Sequence, residues 1–117
     1  MGNPHFVCCV DQFAPDWAQR AAEIQRDPHF KQGVNVEMLV IENKHHVQTR
    51  FYERGAGETR SSGTGSCAAA SAAIASGRAE SPVKVQAPGG TQTVRLEGGR
   101  IFLRGTARIA CRGEFYL

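Results

Sequence analysis

From Ser66 to Ser76 the chain reads Ser-Cys-Ala-Ala-Ala-Ser-Ala-Ala-Ile-Ala-Ser, a stretch with no charge and no polar group larger than a hydroxyl. Its alanines have high helix propensity, and Gly77 supplies the residue that most readily closes a helix. A helix apolar or small all round cannot lie on a surface with one face in water, so it has to be enclosed. Small side chains also let neighbouring backbone approach closely. The expected architecture is a set of strands wrapped around this segment as a central buried helix.

The rest of the chain provides such strands. His5 to Val10 is apolar and β-prone, and Val34 to Ile41 and Val47 to Tyr52 form a predicted antiparallel hairpin across the polar stretch Glu42–His46. Beyond the helix, Val83–Val85, Thr91–Leu96, Ile101–Arg104 and Ala107–Phe115 are separated in part by the glycine pairs Gly89-Gly90 and Gly98-Gly99, which implies a meander of short strands. One amphipathic surface helix is predicted from Trp17 to Arg26, where Trp17, Ala21, Ala22 and Ile24 recur at helical spacing; Asp16 is its candidate cap and Asp27-Pro28 its end. Residues 1–117 thus read as a single α+β domain with antiparallel or mixed strands.

Charge and cysteine usage narrow the function. The net charge of +3 comes from 14 basic and 11 acidic residues scattered along the chain, with no basic run to track a phosphate backbone, so nucleic acid is excluded as a partner. No apolar run approaches the roughly 20 residues that span a bilayer, and the N-terminus lacks a secretory pattern; a cytoplasmic protein without membrane partners is expected. Met1-Gly2 opens like a myristoylation signal, but Phe6 stands where Ser or Thr is needed. Cys8, Cys9, Cys67 and Cys111 have neither C-x-x-C nor Cys/His zinc spacing, so no structural metal is expected. Cys8 and Cys9 point to opposite faces of a strand and read as small core or interface fillers. His45-His46 reads as a solvated turn rather than a metal site, having no third ligand nearby.

The loop that feeds the alanine helix holds the candidate chemistry. Ser61-Ser62-Gly63-Thr64-Gly65 ends where unpaired backbone N–H groups and the positive end of the helix dipole make an anion site. Glycines let a ligand approach the backbone, and the Ser62 and Thr64 hydroxyls can bind it or cap the helix. On these residues alone a well-capped helix start explains the loop equally well. Glu53 and Arg54, just after a strand, could form an ion pair or touch a ligand.

Five segments in order tip the balance: Gly2-Asn3-Pro4-His5, Gly33-Val34-Asn35-Val36, Glu53-Arg54-Gly55-Ala56-Gly57-Glu58-Thr59, Gly63-Thr64-Gly65 with Cys67-Ala68-Ala69, and Pro88-Gly89-Gly90. Together they resemble the second half of the diaminopimelate epimerase family and cover nearly the whole chain. The resemblance implies a cofactor-free isomerase that interconverts LL- and meso-diaminopimelate in lysine and peptidoglycan-precursor synthesis. In that family two similar domains close on the substrate and each contributes a cysteine. Inversion needs a base and an acid on opposite sides of one carbon. Carried over by position, Asn3, Asn35, Glu53, Arg54, Gly63 and Thr64 resemble substrate-contacting residues, and His5 and Glu53 stand near the reacting centre. Asn3 and Asn35 taken singly would read as loop caps.

Two departures qualify the resemblance. Ser62 occupies the position of the family's second catalytic cysteine, and a serine hydroxyl is far less acidic than a thiol. Cys67, inside the helix, matches a non-catalytic cysteine. The first half is also absent, so the chain begins almost on the second half's first motif. The chain is therefore expected to grip a small amino-acid or carboxylate ligand, to be inactive alone, and to require an N-terminal half-domain. The alternative is a stand-alone homodimeric carboxylate-binding module, or a related isomerase of the same fold that does not use two thiols.

Overall fold

A computed structural model describes residues 1–117. Its elements run β1 (His5–Cys9), α1 (Trp17–Gln25), β2 (Asn35–Asn43), β3 (His46–Glu53), β4 (Gly57–Thr59), α2 (Gly63–Ala75), β5 (Val83–Ala87), β6 (Gly90–Glu97) and β7 (Arg100–Arg104). The strands form one sheet in the order β1-β2-β3-β5-β6-β7, with β4 also paired to β3. The sheet is mixed: β1 runs parallel to β2 and β3 parallel to β5, while the other pairs are antiparallel. Parallel neighbours need a crossover connection, and each has a helix in it, α1 between β1 and β2 and α2 between β3 and β5.

The two helices cover different faces. Ala21 of α1 packs with Val34, Val36 and Met38, helped by half-buried Cys8, Val10, Trp17 and Ile24. On the other side Leu39, Val47, Val83, Val85 and Val94 pack with Cys67, Ala69, Ala70 and Ala73 of α2. With cover on both faces, β2 is buried at every position from Asn35 to Leu39, which accounts for its nearly continuous apolar sequence.

Helix α2 packs against β1, β2, β3, β5, β6 and β7. Gly65–Ala70 and Ala73 are buried, whereas Ser71, Ala72 and Ile74 are half-buried and Ala75 is exposed. One flank near the C-terminal end therefore stays partly open. Gly77 follows the last turn with φ +77°, as its predicted closing role requires.

Several expectations need correction. Ala107–Phe115 forms no strand and residues 105–117 are exposed throughout, because the alternating pattern finds no neighbouring strand in the chain to complete its hydrogen bonds. A short strand that the sequence reading did not place, β4, folds back on β3 between Glu53 and the Ser61–Gly65 segment. The hairpin turn is Lys44-His45, and His46 already belongs to β3. Asp16 precedes α1 without capping it; its carboxylate instead accepts from Arg20 Nε at 3.1 Å. Cys9 is exposed and fills no core, while Cys8 is half-buried against the α1 side.

Candidate functional site

The pleat of three strands brings the candidate residues to one end of the α2 face. In the parallel β1–β2 register His5 lies beside Asn35, and in the β2–β3 register Glu37 lies opposite Phe51. Side chains two apart share a face, so Asn35 and Glu37 are on the same side as Leu39, which packs with α2. Phe51 leads directly to the start of the helix: a Cβ added at Gly65 would stand 2.8 Å from its Cδ1 and 2.9 Å from Ser62 Oγ. That close approach excludes any side chain at residue 65.

Ser62 is the N-cap of α2, in extended conformation at φ −151° and ψ 122°. Its Oγ accepts from the Gly65 N–H at 3.0 Å and its carbonyl from the Ser66 N–H at 3.0 Å. The N–H groups of Gly63 and Thr64 have no acceptor within the chain. Two free donors at the positive end of a three-turn helix can hold a carboxylate. Thr64 Oγ1 accepts from Asn3 Nδ2 at 3.2 Å, linking the chain's start to the helix across 61 positions. Asn3, Ser62, Gly63 and Thr64 are thus brought together.

His5 and Glu53 belong to a second cluster beside it. His5 Nδ1 lies 2.8 Å from Glu37 Oε1, with the two side chains 7% and 1% exposed. Burial pushes the Glu37 carboxyl up to about 8, and the charge of Glu53 pushes in the same direction. Burial lowers the pKa of His5, against the attraction of Glu53 and with a small contribution from the amino terminus. The Glu53 carboxylate accepts from Thr59 Oγ1 at 2.7 Å, which fixes it through β4.

Asn35 and Arg54 hold the frame in which these groups sit. Asn35 Oδ1 accepts from the Arg54 N–H at 2.8 Å, and Asn35 Nδ2 donates to the Pro4 carbonyl at 3.3 Å. The exposed Arg54 guanidinium donates through Nη1 to the Gln32 carbonyl at 3.0 Å. Its stem runs over Gly33, where an added Cβ would come within 3.1 Å of Cδ and the backbone has φ +74°. Both of these predicted ligand contacts are engaged with the chain's own backbone.

Glu37 was not singled out by sequence reading. Its signal was available, as a lone carboxylate within the apolar run Val34–Ile41. Cys67 is buried in the core and burial raises its pKa, so it lies outside the polar cluster's chemistry. His45 and His46 bond to the Pro82 carbonyl at 2.8 Å and to Gln86 Oε1 at 3.0 Å, tying the hairpin to the β5 region. No group of three or more His, Cys, Asp or Glu side chains is arranged to hold a metal, and no helix is long and apolar enough to cross a membrane.

A mixed sheet bent as a half-barrel with two helices is an α+β arrangement found in solved structures of the phenazine biosynthesis PhzF family. A member from Enterococcus faecalis superposes with a TM-score of 0.60 at 18% identity, covering 83% of this chain and 35% of that one. A PhzC/PhzF protein from Clostridium difficile (strain 630) gives a TM-score of 0.61 at 21% identity, with the same coverage. Within that fold the sequence is more specific. The family model for diaminopimelate epimerase matches residues 1–110, and the chain belongs to the diaminopimelate epimerase family. It is 49% identical over 102 residues to diaminopimelate epimerases of Burkholderia pseudomallei (strain 668) and Burkholderia thailandensis. Those matches cover 86% of this chain and 35% of each relative, so the chain spans about a third of their length.

Proposed function

We propose that this chain is the C-terminal, substrate-gripping domain of a cofactor-independent epimerase that interconverts LL- and meso-diaminopimelate in the cytoplasm. In this reading residues 1–117 are one domain whose sheet curves around α2 as its central helix, and an N-terminal half-domain closes over the substrate. The observation that carries the reading is the start of α2, where the Gly63 and Thr64 N–H groups are free and Asn3 stands beside them.

The mechanism follows from that geometry. A substrate α-carboxylate bound at Gly63 and Thr64 is held by two backbone donors and by the helix dipole. The same donors stabilise negative charge that spreads from the α-carbon onto the carboxylate when the α-proton leaves, which lowers the barrier. Epimerisation then needs a base on one side of the carbon and an acid on the other. Ser62 stands on this half at the position expected to carry a thiol, with its hydroxyl committed to the Gly65 N–H. The chain alone therefore binds without turning over.

Two measurements test this. Titrating meso-diaminopimelate into the amide-labelled chain is expected to move the Gly63, Thr64 and Asn3 resonances, while in heavy water the chain alone incorporates no deuterium at the α-carbon. Unmoved resonances at saturating ligand, or deuterium wash-in by the chain alone, would sink the reading. A homodimeric carboxylate-binding module is the second reading. It is favoured by the exposure of Ile101, Leu103, Ile109, Phe115 and Tyr116 on β7 and the segment after it. A dimer in sedimentation with unchanged ligand contacts supports this module; a monomer supports the half-enzyme.

A further inference from the structure

The His5–Glu37 pair satisfies only half of itself. Glu37 Oε1 and His5 Nδ1 meet at 2.8 Å, yet Glu37 Oε2 and His5 Nε2 are buried with no partner in the chain. Three proton arrangements fit that contact. In the first, Glu37 is a carboxylate accepting from Nδ1–H of a neutral imidazole, which leaves a buried negative charge and a bare Nε2. In the second, Glu37 is a carboxylic acid donating to Nδ1, which leaves both groups neutral and the imidazole proton on Nε2. In the third, Glu37 is a carboxylate beside an imidazolium, an ion pair that buries two charges.

The surroundings choose the second. Glu37 is 1% exposed, so a charge there loses nearly all its hydration. Glu53 acts from β3 as a like charge that disfavours a Glu37 carboxylate; it attracts a positive charge on His5, but burial outweighs that attraction and the amino terminus acts in the same direction as burial. Apart from His5, no Lys, Arg or amino terminus forms an ion pair with Glu37.

We propose that Glu37 is a positioning residue for His5: its carboxyl O–H donates to His5 Nδ1, which fixes the imidazole as the Nε2–H tautomer and keeps the enclosed pair neutral. The raised pKa of Glu37 and the lowered pKa of His5 agree with the neutral pair at neutral pH. The proton arrangement belongs to the chain alone and does not rest on the function proposed above.

The test uses the 117-residue chain labelled with 15N in its histidine rings and 13C in its glutamate carboxyls. At neutral pH the His5 ring is expected as the Nε2–H tautomer with Nδ1 an acceptor, and Glu37 is expected to titrate well above the ordinary carboxylate range. Glu37→Gln keeps a donor to Nδ1, so it retains the tautomer and loses the titration. Glu37→Leu has no donor and loses the tautomer preference. A wild-type His5 protonated at Nδ1, a Glu37 midpoint in the ordinary range, or a tautomer unchanged in Glu37→Leu would each overturn the proposal. The two readings fail separately, because tautomer and midpoint belong to the chain alone.

Discussion

Asn35 and Glu37 stand two residues apart on β2, face the same side of the sheet and are both buried, yet their polar atoms are treated differently. Asn35 spends its side-chain amide within the chain, on the Pro4 carbonyl and the Arg54 N–H, and so joins the entry of β1 to the exit of β3. Glu37 uses one oxygen on His5 and leaves the other without a partner. A buried polar atom without a partner costs about 1–3 kcal/mol, so a fold selected for stability alone has no use for it. The difference separates two arrangements inside one strand: Asn35 is fully bonded within the frame, and Glu37 with His5 forms a pair with one polar atom unpartnered on each side.

The largest expected way to expose that contrast is pH. The Glu37 carboxyl lies at about 8 in the folded chain against an ordinary value of 4.5, so its folded pKa is raised. Its contribution is fully present below the unfolded value and is lost as pH rises through the folded one, because unfolding releases the proton in between. Wild-type stability should therefore fall between pH 4.5 and about 8, by on the order of 3 kcal/mol. Denaturant unfolding across that range, repeated with Glu37→Leu, checks it. The variant should show a much flatter profile, and an equally steep one would remove Glu37 as the cause.

Asn35→Ala should behave in the opposite way. It strands the Arg54 N–H and removes one bond to Pro4 in a partly buried place, at a cost of about 1 kcal/mol. Because no ionisation is involved, the loss should be the same at acid and neutral pH. A pH-dependent loss in this variant, or a loss near zero, would mean that Asn35 is not the frame residue its bonds describe.

How much of this could be read from the sequence depended on whether the partner of each residue was local. Helix α2 was legible because alanines without charge admit few arrangements, and the hairpin and glycine turns were legible from alternation. Motif order picked out residues that the fold brings together, since Asn3, His5, Asn35, Glu53, Ser62, Gly63 and Thr64 lie at the start of α2 and on or beside the adjoining strands. What sequence could not supply was the partner of each polar group. Asn35 and Arg54, expected to touch a ligand, also bond to backbone 31 and 22 positions away. Glu37 disappeared into an apolar run because its partner, His5, lies 32 positions earlier and meets it only through parallel pairing. Ala107–Phe115 carried a strand pattern, yet pairing needs a neighbour, and alternation says nothing about where the neighbour is.

The smallest effect concerns the residue at the start of α2. Serine is a strong N-cap, and its Oγ accepts from the Gly65 N–H at 3.0 Å. Sulfur is a weaker acceptor, so Ser62→Cys should lower stability by about 0.5–1 kcal/mol. The same free N–H groups that suit a carboxylate also favour a thiolate, so the new thiol should ionise below the ordinary cysteine value of about 8.5. Cys67 supplies the internal control, being buried in the core with its pKa raised by burial. Alkylation rates measured against pH should show residue 62 reacting first and at lower pH than residue 67. A thiol at 62 with an ordinary or raised pKa would mean that the start of α2 exerts no useful field, and the anion-gripping role would then lose its physical basis.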